Sequence, residues 1–259
     1  MKPLHFLGLL GSAACFVLSA WVQPAAARTL QQIRALNTIS MCAHPDALPY
    51  ATNNDDRPGF QVEIGRAIAQ KLGVGLRVEW LVPRRRIAEV NCDMLMDRPS
   101  EPGPQEGRLL SIPYQRTGIV IALREDAPAV ASVNDLKQLT RVGVMVGSLA
   151  SVVLGRKGIR TIPYAFQADL LEDLAKGDLM AAALSAPSLG FQLQLRSDTA
   201  LRRFDLFEYE PELAWSVAVA LRGADRSLQE AVDRALSELM DDGTLKRIYA
   251  KYGIEHQRP

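Results

Sequence analysis

Short apolar segments of strand length alternate with amphipathic helical segments in this chain, and the alternation runs, breaks and starts again. Ile39-Ser40-Met41-Cys42-Ala43 has the pattern of a short buried strand, ended by His44-Pro45-Asp46, a group of turn-forming types. Phe60, Ile64, Ala67, Ile68 and Leu72 then recur at helical spacing, and Gly73 follows where a helix terminus favours glycine. Leu76-Arg77-Val78-Glu79-Trp80 alternates as a strand. A short helical piece over 85–90 leads to a third strand, Cys92-Asp93-Met94-Leu95-Met96. Parallel strands need crossover connections, so this β-α-β-α-β order predicts a parallel sheet with helices on both faces.

Residues 98–107 hold three prolines and two glycines and predict no regular element. The extended apolar run Tyr114 to Leu123 is suited to crossing between two lobes. A second unit opens at Ser132, which can cap a helical turn with Asp135 at the third position. Arg141–Val146 reads as a strand broken at Gly147-Ser148, Gln167–Lys176 as a helix stopped by Gly177, and Leu179–Leu184 as another strand. The β-α-β rhythm thus begins afresh in a second α/β lobe. Leu213–Leu221 is again extended. Two helices close the chain, the first with Leu228, Val232, Leu236 and Leu239 on one face and the second from Leu245 to Tyr252, with Gly243-Thr244 between.

The start of the chain bears on its compartment. Lys2, an apolar run from Phe6 to Val22 and Ala25-Ala26-Ala27 make the basic, apolar and small-residue regions of a secretory signal, with cleavage expected after Ala27. Gly11, Ser12 and Ser19 interrupt the run, which argues against a permanent anchor, and its continuation past Cys15 argues against a lipidation site. Removal of Lys2 with that segment takes the formal charge from +1 to zero, which gives no footprint for nucleic acid or a membrane surface. Cys42 and Cys92 are the cysteines left after cleavage. In an oxidising compartment they predict one disulfide, and without a histidine cluster they do not suggest zinc.

Several motifs stand in a familiar order: Pro49-Tyr50, Gly59-Phe60 with Glu63, Ile112-Pro113-Tyr114, Asp135-Leu136-Lys137, Val142-Gly143-Val144 before Gly147-Ser148, and Asp242-Gly243-Thr244 before Lys251-Tyr252-Gly253. In these the chain resembles the extracellular solute-binding proteins of polar amino-acid ABC transporters. A narrower group of motifs, Cys42-Ala43-His44-Pro45, Pro83-Arg84-Arg85-Arg86, Cys92-Asp93 and Pro113-Tyr114-Gln115-Arg116-Thr117, resembles the J-type accessory proteins of quinoprotein (PQQ) methanol and alcohol dehydrogenases. Gly177-Asp178-Leu179 and Ala186-Pro187-Ser188-Leu189-Gly190 fit the second-lobe pattern of that group. The resemblance implies a two-lobed periplasmic-binding-protein type 2 fold with a two-strand hinge: residues 28–118 plus 213–259 in one lobe, 119–212 in the other. It implies a non-catalytic protein without a cofactor. The partner expected is a periplasmic quinoprotein dehydrogenase or its cytochrome c; the alternative is a small solute and an ABC permease.

Ligands of open α/β sheets sit beyond the carboxyl ends of the strands. The candidates are therefore His44 and Tyr50, then Asp97, Arg98 and Ser100, and Gly147 with Ser148. Gly147-Ser148 before a helix offers amides and a hydroxyl to an anion, or serves as a plain N-cap. Asp97 and Arg98 can equally form an internal ion pair, and Tyr50 can stack on a ligand or fill lobe packing. The resemblance adds Arg108, Tyr114, Arg116, Met180 and Pro187 to the cleft and gives Arg84, Arg85 and Arg86 to docking of an acidic partner. Met180 is expected where amino-acid binders carry the acid that pairs with the ligand ammonium, so free amino acids are expected to bind poorly. Cyclohexadienyl dehydratases share the fold, with His44 and Asp97 as the candidates for acid-base work. The chain has no H-E-x-x-H, phosphate-binding loop or dinucleotide fingerprint.

Overall fold

The structure is a computed structural model that describes residues 28–82, 90, 92–100, 108–195, 200–223 and 225–259. The signal-type segment, the helical piece expected over 85–90 and Arg84, Arg85 and Arg86 lie outside the described residues, as do the side chains of Asp97 and Arg108.

The first α/β unit contains α1 (Leu30–Ala35), β1 (Thr38–Ala43), the small hairpin strands β2 (Asp46–Ala47) and β3 (Ala51–Thr52), α2 (Phe60–Leu72), β4 (Gly75–Trp80), β5 (Met94–Pro99) and β6 (Arg108–Leu110). The long strand β7 (Gln115–Arg124) leads to β8 (Val142–Met145), α3 (Leu149–Arg156), β9 (Thr161–Tyr164), α4 (Gln167–Lys176), β10 (Ala181–Ser185), α5 (Ala186–Leu195) and β11 (Leu201–Phe204). The long strand β12 (Ala214–Arg222) returns to α6 (Arg226–Asp241) and α7 (Thr244–Ala250). Strands follow the order β4-β1-β5-β12-β7-β10-β8-β9, with β6 beside β12 and β11 beside β7. The triplets β4-β1-β5 and β10-β8-β9 contain the parallel pairings, and β7 and β12 join antiparallel between them.

Two hydrophobic cores flank this junction. One gathers Ile39, Met41, Ile64 and Ile68 with Leu228, Leu236, Leu245 and Tyr249 from the end of the chain. The other is contiguous in sequence, from Ile119 to Leu213. β12 serves both, and β7, which follows Tyr114 of the first core, serves the second. Gln115 to Gly118 pairs with Val217 to Ala214, after which Ile119 to Leu123 pairs with β10, while the later part of β12 pairs with β5 and β6.

Sequence-based expectations for β1, α2, β4 and β5 match the structure in element and order, and α2 ends with Gly73 in the left-handed conformation at φ 74°. Ser132 and Asp135 form the expected capping box, although the turn they open, Val133–Gln138, is a 3-10 helix. β9 was not anticipated, since Thr161-Ile162-Pro163-Tyr164 carries a proline; it is an edge strand, where a missing amide is tolerated.

β1 lies between β4 and β5, so Cys42 and Cys92 are neighbours and form the expected disulfide, with Cα atoms 5.5 Å apart. Closing a 50-residue separation stabilises the fold by about 4 kcal/mol on the chain-entropy account. Beside it, the buried carboxylate of Asp93 accepts from the Ser40 amide at 2.6 Å and the Ser40 hydroxyl at 2.7 Å, and is paired with Arg28. Bridge and carboxylate together fix the carboxyl end of β1 to the entry of β5.

Gly118 stands where β7 passes from one core to the other. A Cβ there would strike the Phe207 side chain and come within 2.5 Å of the Leu213 carbonyl oxygen, which the backbone holds in place. Gly118→Ala is expected to cost about 1–3 kcal/mol by overpacking. Gly155→Ala, in α3 with nothing within 4 Å, should gain roughly 0.5 kcal/mol from helix propensity. Thermal denaturation of the two variants beside the parent checks both signs.

Candidate functional site

A cavity of about 690 Å³ opens at the carboxyl ends of β1 and β5 and is closed from the second lobe by Pro187. Part of its floor is one pleated face of the crossing strands. Thr117 is opposite Trp215, Gln115 is opposite Val217, and Val217 is opposite Pro99 on its other side; all five line the cavity. Directly opposed residues of an antiparallel pair share a face, and that is why these side chains converge. Phe60, Tyr50 and Tyr249 add an aromatic wall, with Tyr50 and Phe60 centroids 5.2 Å apart and Phe60 and Tyr249 4.9 Å apart.

Of the residues expected at the cleft, His44, Tyr50, Arg98, Tyr114 and Pro187 line this cavity. His44 is exposed at the mouth, where its Nδ1 accepts the Asp46 amide at 3.0 Å. Tyr114 is buried and its hydroxyl donates to the Met96 carbonyl at 2.5 Å. The Tyr50 hydroxyl reaches across to the Ser185 hydroxyl of β10 at 2.8 Å, and Ser185 in turn bonds Ser188 at 2.8 Å. Desolvation, with the neighbouring phenols Tyr114 and Tyr50 adding, pushes the Tyr249 phenol well above its ordinary value, so it stays neutral.

Other expected residues lie elsewhere. Arg116 sits between Gln115 and Thr117 on β7, so strand alternation turns it to the opposite face. There it pairs with Glu208 at 2.5 Å and lies over the Phe207 ring. Arg116 therefore lies at the back of the crossing strands and is not among the residues lining this cavity. Met180 does not line the cavity either. It precedes β10 at the end away from Ser185, roughly 16 Å along the strand, and its sulfur is 3.7 Å from the Thr140 hydroxyl. The residue of this strand that meets a cavity-lining side chain is Ser185, through its bond to Tyr50. Ser148 does not line the cavity; its hydroxyl accepts the Ser151 amide at 3.1 Å as the N-cap of α3, with Gly147 left-handed before it. Ser100 follows β5, and its amide donates to the Ser216 carbonyl at 2.7 Å. The backbones of Asp97 and Arg108 lie in β5 and β6. Gln61, Gln115, Thr117, Trp215 and Tyr249 were missed. Alternation along Tyr114–Thr117 and Trp215–Val217 contains the signal, but it becomes readable only when the two strands are known to pair. Thr117 is buried, and its hydroxyl has no partner among the described residues.

Among the described residues no group of three or more His, Cys, Asp or Glu could hold a metal ion, and no helix is long and apolar enough to cross a membrane.

Residues 39–255 match the family described as bacterial extracellular solute-binding proteins, family 3. The chain belongs to that family. It is 27% identical over 224 residues to the Probable amino-acid-binding protein YxeM of Bacillus subtilis (strain 168), covering 83% of this chain and 84% of that one. In fold it is similar to an ancestral cationic amino-acid solute-binding protein, AncCDT-1 (TM-score 0.74, 20% identity, 86% of this chain and 98% of that one). It is likewise similar to MxaJ from Methlophaga aminisulfidivorans MPT (TM-score 0.70, 17% identity, 85% and 100%). Both structural neighbours share the two-lobed α/β architecture, and at these identities the likeness speaks to fold alone.

The end of the chain braces the back of the cavity. The Arg116 amide donates to the Gln257 carbonyl at 2.8 Å, and His256 stacks on Tyr249 while its Nε2 bonds the Tyr114 carbonyl at 2.8 Å. Desolvation holds His256 below its ordinary value, the bond to Tyr114 offsetting this in part. In the unfolded chain it takes up a proton near pH 6.5, and in the fold it does so only at lower pH. Between those two values the unfolded state holds more protons, so stability is whole above the window and falls as the pH drops through it. Chemical denaturation at about pH 7 and about pH 5.5 should show that loss, and His256→Phe, which keeps the stacking surface, should flatten it.

Proposed function

We propose that this protein is an exported, non-catalytic receptor that encloses a small solute in the cleft and presents it to a membrane permease. The observation that supports this reading best is the position of the 690 Å³ cavity on the β7–β12 ladder. An occupant resting on the strands that join the two cores biases the angle between the lobes, and a lobe angle is something a partner can read. On this reading residues 28–118 with 213–259 move as one lobe against 119–212, the leader ends near Ala27, and the working compartment is the periplasm. The name of YxeM puts amino-acid binding among the relatives, and a cavity of this size lies in the range for small organic ligands.

A second reading is favoured by one feature of the site. Cys42, Ala43 and His44, tied to Cys92 by the disulfide, line the cavity, and with Pro45 they form one of the motifs in which the chain resembles the J-type accessory proteins. On that reading the mouth takes a segment of a quinoprotein dehydrogenase or its cytochrome c, and Arg84, Arg85 and Arg86 steer an acidic partner.

Native mass spectrometry of the protein released from periplasm, alongside affinity capture at low and moderate salt, separates the two. The receptor reading expects a small molecule retained at one per chain and no protein partner. Capture of a dehydrogenase by solute-free protein, weakened by salt and by changing the three arginines to Ala, would replace it with the accessory reading.

A further inference from the structure

We infer that the cleft selects an organic anion with an apolar body and no ammonium group, and that Arg98 is its anchor. This rests on the receptor reading and names the ligand class for that same site.

The argument begins with the cations. Part-buried guanidiniums elsewhere in the fold have a partner: Arg28 has Asp93, Arg116 has Glu208, Arg124 has Asp126, Arg222 donates to the Val90 carbonyl, and Arg57 lies over the Phe191 ring. Arg98 is also part-buried and lines the cavity, yet its side chain has no ion pair or hydrogen bond among the described residues. A guanidinium withdrawn from water without a counter-charge is unfavourable, and a ligand carboxylate answers it with a planar, two-pronged match.

The walls indicate the rest of the ligand. Tyr50, Phe60, Met96, Trp215 and Val217 are apolar or aromatic surface, suited to a hydrocarbon or aromatic body. An ammonium finds no comparable place. Asp46 is the only carboxylate among the described lining residues, and it is exposed at the mouth. At the cleft end of β10, Ser185 offers a hydroxyl already engaged with Tyr50 and Ser188. A zwitterion would therefore satisfy Arg98 at one end and bury an unpaired charge at the other. Arg98 is thus a different arginine from Arg108, which the sequence resemblance placed in the cleft.

The test uses Trp215, whose ring lines the cavity floor, as a fluorescence reporter, with calorimetry as a second readout. The probes are 3-phenylpropionate, L-phenylalanine and phenethylamine, which share a body and differ in charged groups. The full mature protein is expected to bind 3-phenylpropionate at least tenfold more tightly than either amine. Arg98→Gln should weaken that binding roughly ten- to hundredfold, the range for one lost charge-assisted pair, while Arg98→Lys keeps part of it. Thermal melts of both variants, unchanged from the parent, exclude misfolding as the cause. Equal or tighter binding of L-phenylalanine, or 3-phenylpropionate binding indifferent to Arg98→Gln, would overturn the inference and leave the receptor reading standing. Binding of none of the three probes would overturn the inference, and the receptor reading falls with it only if natively released protein also retains no small molecule.

Discussion

The antiparallel ladder between Gln115–Gly118 and Ala214–Val217 is the contact on which the rest of the molecule depends. Two parallel triplets of strands have no hydrogen bonds to exchange with each other. They become one protein because β7 runs from the first into the second and β12 runs back. The ladder has two faces, and alternation gives them different work. Gln115, Thr117, Trp215 and Val217 form floor for the cavity. On the other face, Arg116 reaches Glu208 and Phe207, tying the back of the crossing to the 3-10 turn of the second core.

A cavity on such a floor needs a rigid mouth, and covalent and electrostatic chemistry supply it. The Cys42–Cys92 bridge and the Asp93 carboxylate, which gathers Ser40 and Arg28, hold the end of β1, where the cavity begins, against the entry of β5. The opposite wall is joined less firmly, through the hydroxyls of Tyr50, Ser185 and Ser188. Hydrogen bonds between neutral hydroxyls exchange readily with water, so this side is the one able to part.

Elements with strong local periodicity were readable from residues alone. The helix from Phe60 to Leu72 has its apolar stripe and its terminal glycine, and the strands around Met41, Val78 and Met94 have theirs. The disulfide followed from two cysteines and a topology that makes their strands neighbours. What escaped depended on partners distant in sequence. Arg116 and Thr117 are adjacent and chemically plausible at a cleft, and only the pairing with β12 decides which of them faces it. Met180 and Ser185 lie just before and at the end of one short apolar strand, and only the direction in which that strand meets β7 determines which of them is near the cavity. Proline hid the edge strand at Thr161–Tyr164 for a related reason: whether a missing amide matters depends on the absence of a neighbour on that side.

The two cores differ in how their parts are distributed along the chain, and this bears on the order in which they can assemble. The second core is drawn from one continuous stretch, Ile119 to Leu213, and can condense once that stretch is available. The first joins Ile39 and Ile64 to Leu228, Leu245 and Ile254, contacts that must wait for the last part of the chain. Contacts of such long sequence separation form slowly, because the loop between them must close before the apolar surface is buried. The amino-terminal half is thus left with its apolar faces uncovered until the carboxyl-terminal helices arrive. On the reading proposed above, in which the chain is threaded across a membrane before it folds, that late closure is an advantage.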